Sequence, residues 1–384
     1  MQPYQTLQIH FPGKLVFGKN LLPQIADEVL AYEPKSIFLA TIEPILSTLN
    51  PFVESLKERG IHVIIDTSIV QEPSFSDFEK VMTTVTPYNP EVVLGIGGGS
   101  VLDVAKLVAA QLENDQTLKE YVGIGLLKGR KKALICVPTT AGTGSEVSPN
   151  AILVDDSDQQ KKGIISKYLV PDAVFVDPVL SLSVPASITA ATGIDALTHC
   201  MEAYTNKFAT PFIDMYALED IRLIAAHLAD AVNDGNNEVA RTEVAMGSLL
   251  GGFCLGPVNT AGVHALSYPL GSLYHLPHGL SNALLLPAVM SYNIPAAVDK
   301  YAKVAIALGA EWKESAEATA WAGVEKIKEI MKACGLPDGL KAIGVDETTI
   351  PQMAKDAMKI QRLLKNNPRP IEEEDAVKIF EAAM

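Results

Sequence analysis

The chain has 384 residues, 31 Lys plus Arg against 45 Asp plus Glu, and a formal net charge of −14. That balance argues against nucleic acid or an anionic membrane surface as partner, and 48% hydrophobic with 20% charged residues argues against disorder. The length exceeds what one ordinary core organises, so two domains are expected.

The start, MQPYQTLQIHFPGK, has neither the basic region nor the apolar run of a secretory signal, and no stretch reaches the apolar length that spans a bilayer. Cys136, Cys200, Cys254 and Cys334 are scattered without C-x-x-C spacing, as free thiols of a reducing compartment would be. A cytoplasmic protein is expected.

Taken in chain order, the first half alternates strand-like with helix-like segments. Short β-rich runs stand at SIFLAT (36–41), HVIID (62–66), EVVLGIG (91–97), ALICVP (133–138), AILVD (151–155) and AVFVD (173–177), with amphipathic stretches such as FVESLKERG between the early ones. This predicts βαβ units around a largely parallel sheet. From Ala186 onward helical spacing dominates, interrupted at Gly235, Pro269, Pro277 and Pro295. The fold class is therefore α/β plus all-α: a parallel-sheet domain over 1–183 and a helical domain over 184–384. A ligand is expected in the cleft between them.

Two segments of the first half carry chemistry. EVVLGIGGGSVLDVAK runs from a buried strand through Gly97, Gly98 and Gly99 into a helix. Ser100 stands at the expected N-cap and Asp103 three residues on, a variant capping box. Backbone N–H groups there can cradle a pyrophosphate, although a plain strand–helix turn has the same composition. CVPTTAGTGSEVSP follows the next apolar strand, and Thr139, Thr140, Thr143 and Ser145 offer hydroxyls beside that turn. Two such loops at strand carboxyl ends favour a dinucleotide.

In GIDALTHCMEAY, Asp195 and His199 lie one turn apart on one helix face, half of a metal site or an internal hydrogen bond. Further ligands come from AGVHALSYPLGSLYHLPHGLSNA, where His264 and His278 are too far apart to share an ion on one straight helix. Pro269, Gly271 and Pro277 supply places to bend, and His275 competes with His278. Three imidazoles and a carboxylate suit one divalent metal, iron(II) or zinc.

The ordered motifs GGGSVLDVAK, PTTAGTGSEVSP, GIDALTHCMEAY and HALSYPLGSLYHLPHG resemble those of the iron-containing (group III) alcohol dehydrogenases, and the resemblance runs to the late NNPRP. It implies a metal-dependent, NAD- or NADP-linked oxidoreductase that acts on a small alcohol or aldehyde and forms a dimer. It also implies Asp195, His199, His264 and His278 as metal ligands. Gly97, Gly98, Gly99 and Ser100 carry over as the pyrophosphate loop, and Thr139, Thr140 and Thr143 as the second cofactor loop. Lys162 matches a lysine near the nicotinamide ribose, and Asn150 and Phe253 fall near the substrate pocket.

The chain departs from the family pattern twice. Tyr268 stands where many members place a histidine near the nicotinamide, and a tyrosine can relay a proton or only pack. Thr41 stands where members that favour NAD often have an Asp, which leaves NAD and NADP both open. The rival readings are a dehydroquinate-synthase-like lyase, which would want more Lys and Arg around its substrate, and a relative acting on a polyol, a maleylacetate-like acid or a hydroxy acid/oxo acid pair.

Overall fold

The computed structural model describes residues 7–158 and 160–384. The first half contains strands β1 (Lys14–Phe17), β2 (Ser36–Ala40), β3 (His62–Asp66), β4 (Val92–Gly97), β5 (Gly123–Ile124), β6 (Ala133–Pro138), β7 (Asn150–Asp155), β8 (Gln160–Ile165) and β9 (Ala173–Val176). Helices α1 (Leu22–Ala31), α2 (Leu46–Glu58), α3 (Phe75–Val85) and α4 (Gly99–Gln111) lie among them. Six strands form a sheet in the order β1-β9-β6-β4-β2-β3, every pairing parallel. Its apolar strands are covered on both faces. One layer brings Phe78, Val104 and Val108 against the sheet; the other brings Ile25, Leu49 and Phe52. Burial on both sides is why β4 reads as an unbroken apolar run.

AILVD departs from the parallel expectation. As β7 it leaves the main sheet and pairs antiparallel with β8, Leu153 opposite Lys162, in a small sheet ordered β5-β8-β7. A five-residue β-rich run does not reveal its partner. QKKGII, with lysines at two of six positions, carried too weak an apolar signal to be read as that partner.

The second half is helical: α5 (Ala186–Thr205), α6 (Pro211–Asn233), α7 (Glu238–Leu255), α8 (Gly262–Tyr274), α9 (His278–Asn293), and further helices to Glu373–Ala382. Pro269, read as a break, sits inside α8; the chain turns instead at His275, whose left-handed φ of 54° ends the helix, and at Pro277. The contacts divide the chain into two compact units: residues up to 140 with 144–183, and residues 141–143 with 184–384. The four cysteines are buried and free. Among the described residues, no helix is long and apolar enough to cross a membrane.

Candidate metal centre and cofactor loops

In the helical unit, α5 carries Asp195 and His199 at i and i+4, α8 supplies His264 near its start, and α9 begins with His278. Their ligand atoms all lie within 4.8 Å of one another. Asp195 Oδ1 is 3.7 Å from His199 Nε2, 3.5 Å from His264 Nε2 and 3.9 Å from His278 Nε2. A tetrahedral ion about 2.0–2.2 Å from each donor would separate donors by roughly 3.3–3.6 Å. Small movements therefore close these four atoms around a divalent ion, and three nitrogens with one carboxylate oxygen are a fitting donor set. His275, at the end of α8, is not in the cluster.

The approach of α9 to α5 depends on Gly279. A Cβ there would sit 2.3 Å from the Ala191 carbonyl oxygen and 2.8 Å from its carbon, so only glycine lets the first turn of α9 carry His278 inward.

Glu202 completes the α5 face, at i+7 from Asp195. It is buried, and Oε2 lies 2.7 Å from His264 Nδ1 and accepts from the Ala261 N–H, while Oε1 accepts from the Val263 N–H. A carboxylate accepting at Nδ1 fixes the hydrogen there and leaves the Nε2 lone pair facing the other ligands.

Asp195 and Glu202 give the buried cluster a negative character that favours a bound cation. Burial raises the Asp195 carboxyl, but the neighbouring imidazoles, His199 first, overcome it and hold the group well below the usual carboxylate range. Burial lowers His199, only partly offset by Asp195. Burial also opposes charge on His264, yet Glu202 and Asp195 push it up to about 9. The side chains of Asp195, His199 and His264 are nearly inaccessible, whereas His278 is 26% exposed, so the cluster opens on the His278 side. Tyr268 lies there, its ring 6.5 Å from that of His278, with its hydroxyl accepting from Arg362 Nη2 at 2.7 Å. Phe253 packs at 5.6 Å from Tyr216 and is buried.

In the sheet unit, the strand order reverses between β2 and β4, and Thr41 and the glycine turn follow those two strands. Thr41 is buried, its N–H donating to the Asp66 carbonyl and its hydroxyl without a partner. The helix after the turn is capped differently from expectation. Gly98, extended, is the N-cap of α4 and no side chain caps it; Ser100 already lies in the first turn. The first N–H groups of α4 therefore have no competing side-chain acceptor, as an anion cradle requires.

The second loop abuts this turn. Thr139 N–H donates to the Gly97 carbonyl, and a Cβ on Gly98 would lie 3.3 Å from Thr140 Oγ1. The Thr139 hydroxyl is buried without a partner. Asp103 faces inward, accepting from Ser145 Oγ and from the Ile152 N–H. Behind it Lys106 is fully buried and donates to Ser145 Oγ (2.8 Å), the Ser148 carbonyl (3.0 Å) and the Asn150 carbonyl (2.8 Å). Asp103 and Lys106 thus lash the glycine-turn helix to the second loop. Thr143 groups with the helical unit. Lys162, on β8, is paired with Asp158, and the Asn150 side-chain oxygen is buried without a partner.

Glu202, Lys106 and Asn282 escaped the sequence reading. Glu202 and Asn282 each had a signal, a polar residue one turn beyond a ligand on an otherwise apolar helix.

Two family models cover most of the chain: iron-containing alcohol dehydrogenase over residues 12–178, and the Fe-containing alcohol dehydrogenase family, C-terminal, over residues 189–384. The chain is 38% identical over 383 residues to long-chain-alcohol dehydrogenase 1 of Geobacillus thermodenitrificans, covering 98% of this chain and 96% of that protein. The crystal structure of a 1,3-propanediol oxidoreductase superposes with a TM-score of 0.94 at 33% identity, covering 99% of this chain and 100% of that one. A sulfoacetaldehyde reductase from Bifidobacterium kashiwanohense, in complex with NAD+, superposes with a TM-score of 0.87 at 26% identity over 99% of each chain. With both halves matched and this metal-ligand geometry in place, the chain belongs to the iron-containing alcohol dehydrogenase family and is an oxidoreductase.

Proposed function

We propose that the protein interconverts a small primary alcohol and its aldehyde, with NAD(H) as hydride carrier and iron(II) held by Asp195, His199, His264 and His278. The single observation behind this reading is the convergence of those four donors within 4.8 Å on three helices. When bound, the ion supplies Lewis acidity toward the substrate oxygen and the nicotinamide accepts or returns the hydride.

The chain's own residues do the rest. Glu202 holds His264 in the tautomer that points Nε2 at the ion, and Gly279 lets His278 reach it. The exposed edge of His278 gives the substrate its approach, beside Tyr268, whose hydroxyl can hand on a proton while Arg362 donates to its oxygen. Gly97, Gly98, Gly99 and the first turn of α4 receive the pyrophosphate, with Ser100, Thr139 and Thr140 as neighbouring donors. Lys162 reaches the cofactor only by leaving Asp158, and Asp103 acts by holding Ser145 and Ile152.

NAD(H) is favoured over NADP(H) because exposed Glu43 and partly exposed Asp66 follow β2 and end β3, where carboxylates disfavour a 2′-phosphate. Zinc is the second choice of ion. The protein works in the cytoplasm as a dimer; free buried cysteines support the first point, and the exposed Leu15 on the edge strand β1 supports the second.

Following NADH and NADPH oxidation over a panel of straight-chain aldehydes from C2 to C8 tests the reading. Turnover with several aldehydes and a higher kcat/KM for NADH is expected. No turnover of any aldehyde by metal-loaded protein would refute it.

A further inference from the structure

Asn282 lies one turn after His278 on the same face of α9 and is completely buried. Its Nδ2 is 2.7 Å from Asp195 Oδ1, 3.1 Å from His264 Nε2 and 3.3 Å from His278 Nε2. One carboxamide nitrogen therefore reaches three of the four ligand atoms, while Asn282 Oδ1 is buried and bonded to nothing. Two features of this contact are chemically telling. An amide nitrogen has two hydrogens, too few for three acceptors. And imidazole lone pairs committed to a cation cannot also accept from an N–H, whose partial positive charge the same cation repels. A half-turn of the carboxamide about its last bond exchanges nitrogen for oxygen and removes both conflicts, and it turns toward the ligands an oxygen that has no partner where it now lies.

We propose that Asn282 is a fifth donor of the metal centre, turning its Oδ1 toward the ion and setting which ion is preferred. The proposal rests on the metal-centre reading above. Three nitrogens and two oxygens suit an ion that accepts five or six ligands, such as iron(II), better than zinc, which is content with four. A neutral oxygen does this without adding charge to a buried site, where a second carboxylate would need its own compensation.

The test is competition of iron(II) and zinc(II), each added alone, against a chromophoric chelator under anaerobic conditions. It uses full-length parent, Asn282→Leu and Asn282→Asp proteins, with thermal unfolding to check that each is folded. Asn282→Leu keeps the volume and removes the oxygen. The expected result is a shift of the iron-to-zinc affinity ratio toward zinc by about tenfold or more. Asn282→Asp keeps an oxygen donor and should retain the parent's preference while binding both ions more tightly. A folded Asn282→Leu protein with the parent's ratio would overturn the proposal. If Asn282→Leu fails to fold, the aspartate variant decides: a shift toward zinc despite its retained oxygen overturns the fifth-donor role. A parent that binds neither ion would instead overturn the metal-centre reading itself.

Discussion

Replacing Glu202 separates a merely buried carboxylate from one that orients a metal ligand. Its two oxygens accept three hydrogen bonds, from His264 Nδ1, the Ala261 N–H and the Val263 N–H. Alanine would strand three buried donors. At about 1–3 kcal/mol each, that loss is comparable to the roughly 5–15 kcal/mol that holds a whole domain folded. Glu202→Ala therefore risks reporting only unfolding. Glu202→Gln is the informative change. It fits the same space, but its single oxygen can face either Val263 or the Ala261–His264 pair, and its amide nitrogen must then meet a donor. With the oxygen toward His264, one backbone donor is lost, a destabilisation of about 1–3 kcal/mol. His264 also loses the charge that makes it a strong ligand, which should weaken metal binding about 10- to 100-fold. Chelator competition and thermal unfolding of the metal-loaded protein read the two effects separately. A Glu202→Gln protein of lowered stability but unchanged metal affinity would refute the orienting role and leave Glu202 as a structural residue alone.

Other expectations follow from the same geometry. Lys106→Met removes three donated hydrogen bonds and the cation beside Asp103. It should destabilise the sheet unit by about 3–5 kcal/mol and raise the dissociation constant for NADH, measured by fluorescence quenching, while metal affinity stays unchanged. Gly279→Ala should cost about 1–3 kcal/mol in overpacking and lower metal occupancy in elemental analysis, because the added methyl meets the Ala191 backbone. Burial pushes the Glu146 carboxyl up to about 7 from its ordinary 4.5. The folded state therefore holds this proton more tightly than the unfolded one, and stability from this group is lost as pH rises from about 4.5 through 7. Glu146→Gln should flatten that slope and be the more stable protein at pH 8, relative to its parent, than at pH 5; identical pH dependence in urea unfolding would contradict the buried-proton account.

Much of this site is legible in the sequence. Asp195 and His199 share a helix face by spacing alone, and the glycine turn follows an apolar strand whose burial its composition already implied. The route by which His264 and His278 meet was less legible. Pro269 looked like a break, yet α8 accommodates it, and the turn falls at His275, where a left-handed residue and the following proline stop the helix. Ser100 looked like a cap because serine favours that position. The extended residue is Gly98, where an added Cβ would press on the Thr140 side chain at 3.3 Å. Lys106 was hidden for a different reason. Its role depends on what lies opposite it across the fold, and neither periodicity nor local propensity carries that information.

The most direct test of the account is the metal content of anaerobically purified protein, combined with NADH-dependent aldehyde reduction after chelation and after restoring iron(II) or zinc. About one ion per chain is expected, with activity lost with the ion and regained on its return, and neither occupancy nor activity in Asp195→Ala. Full turnover by metal-free protein, or an Asp195→Ala variant as active as its parent, would contradict it.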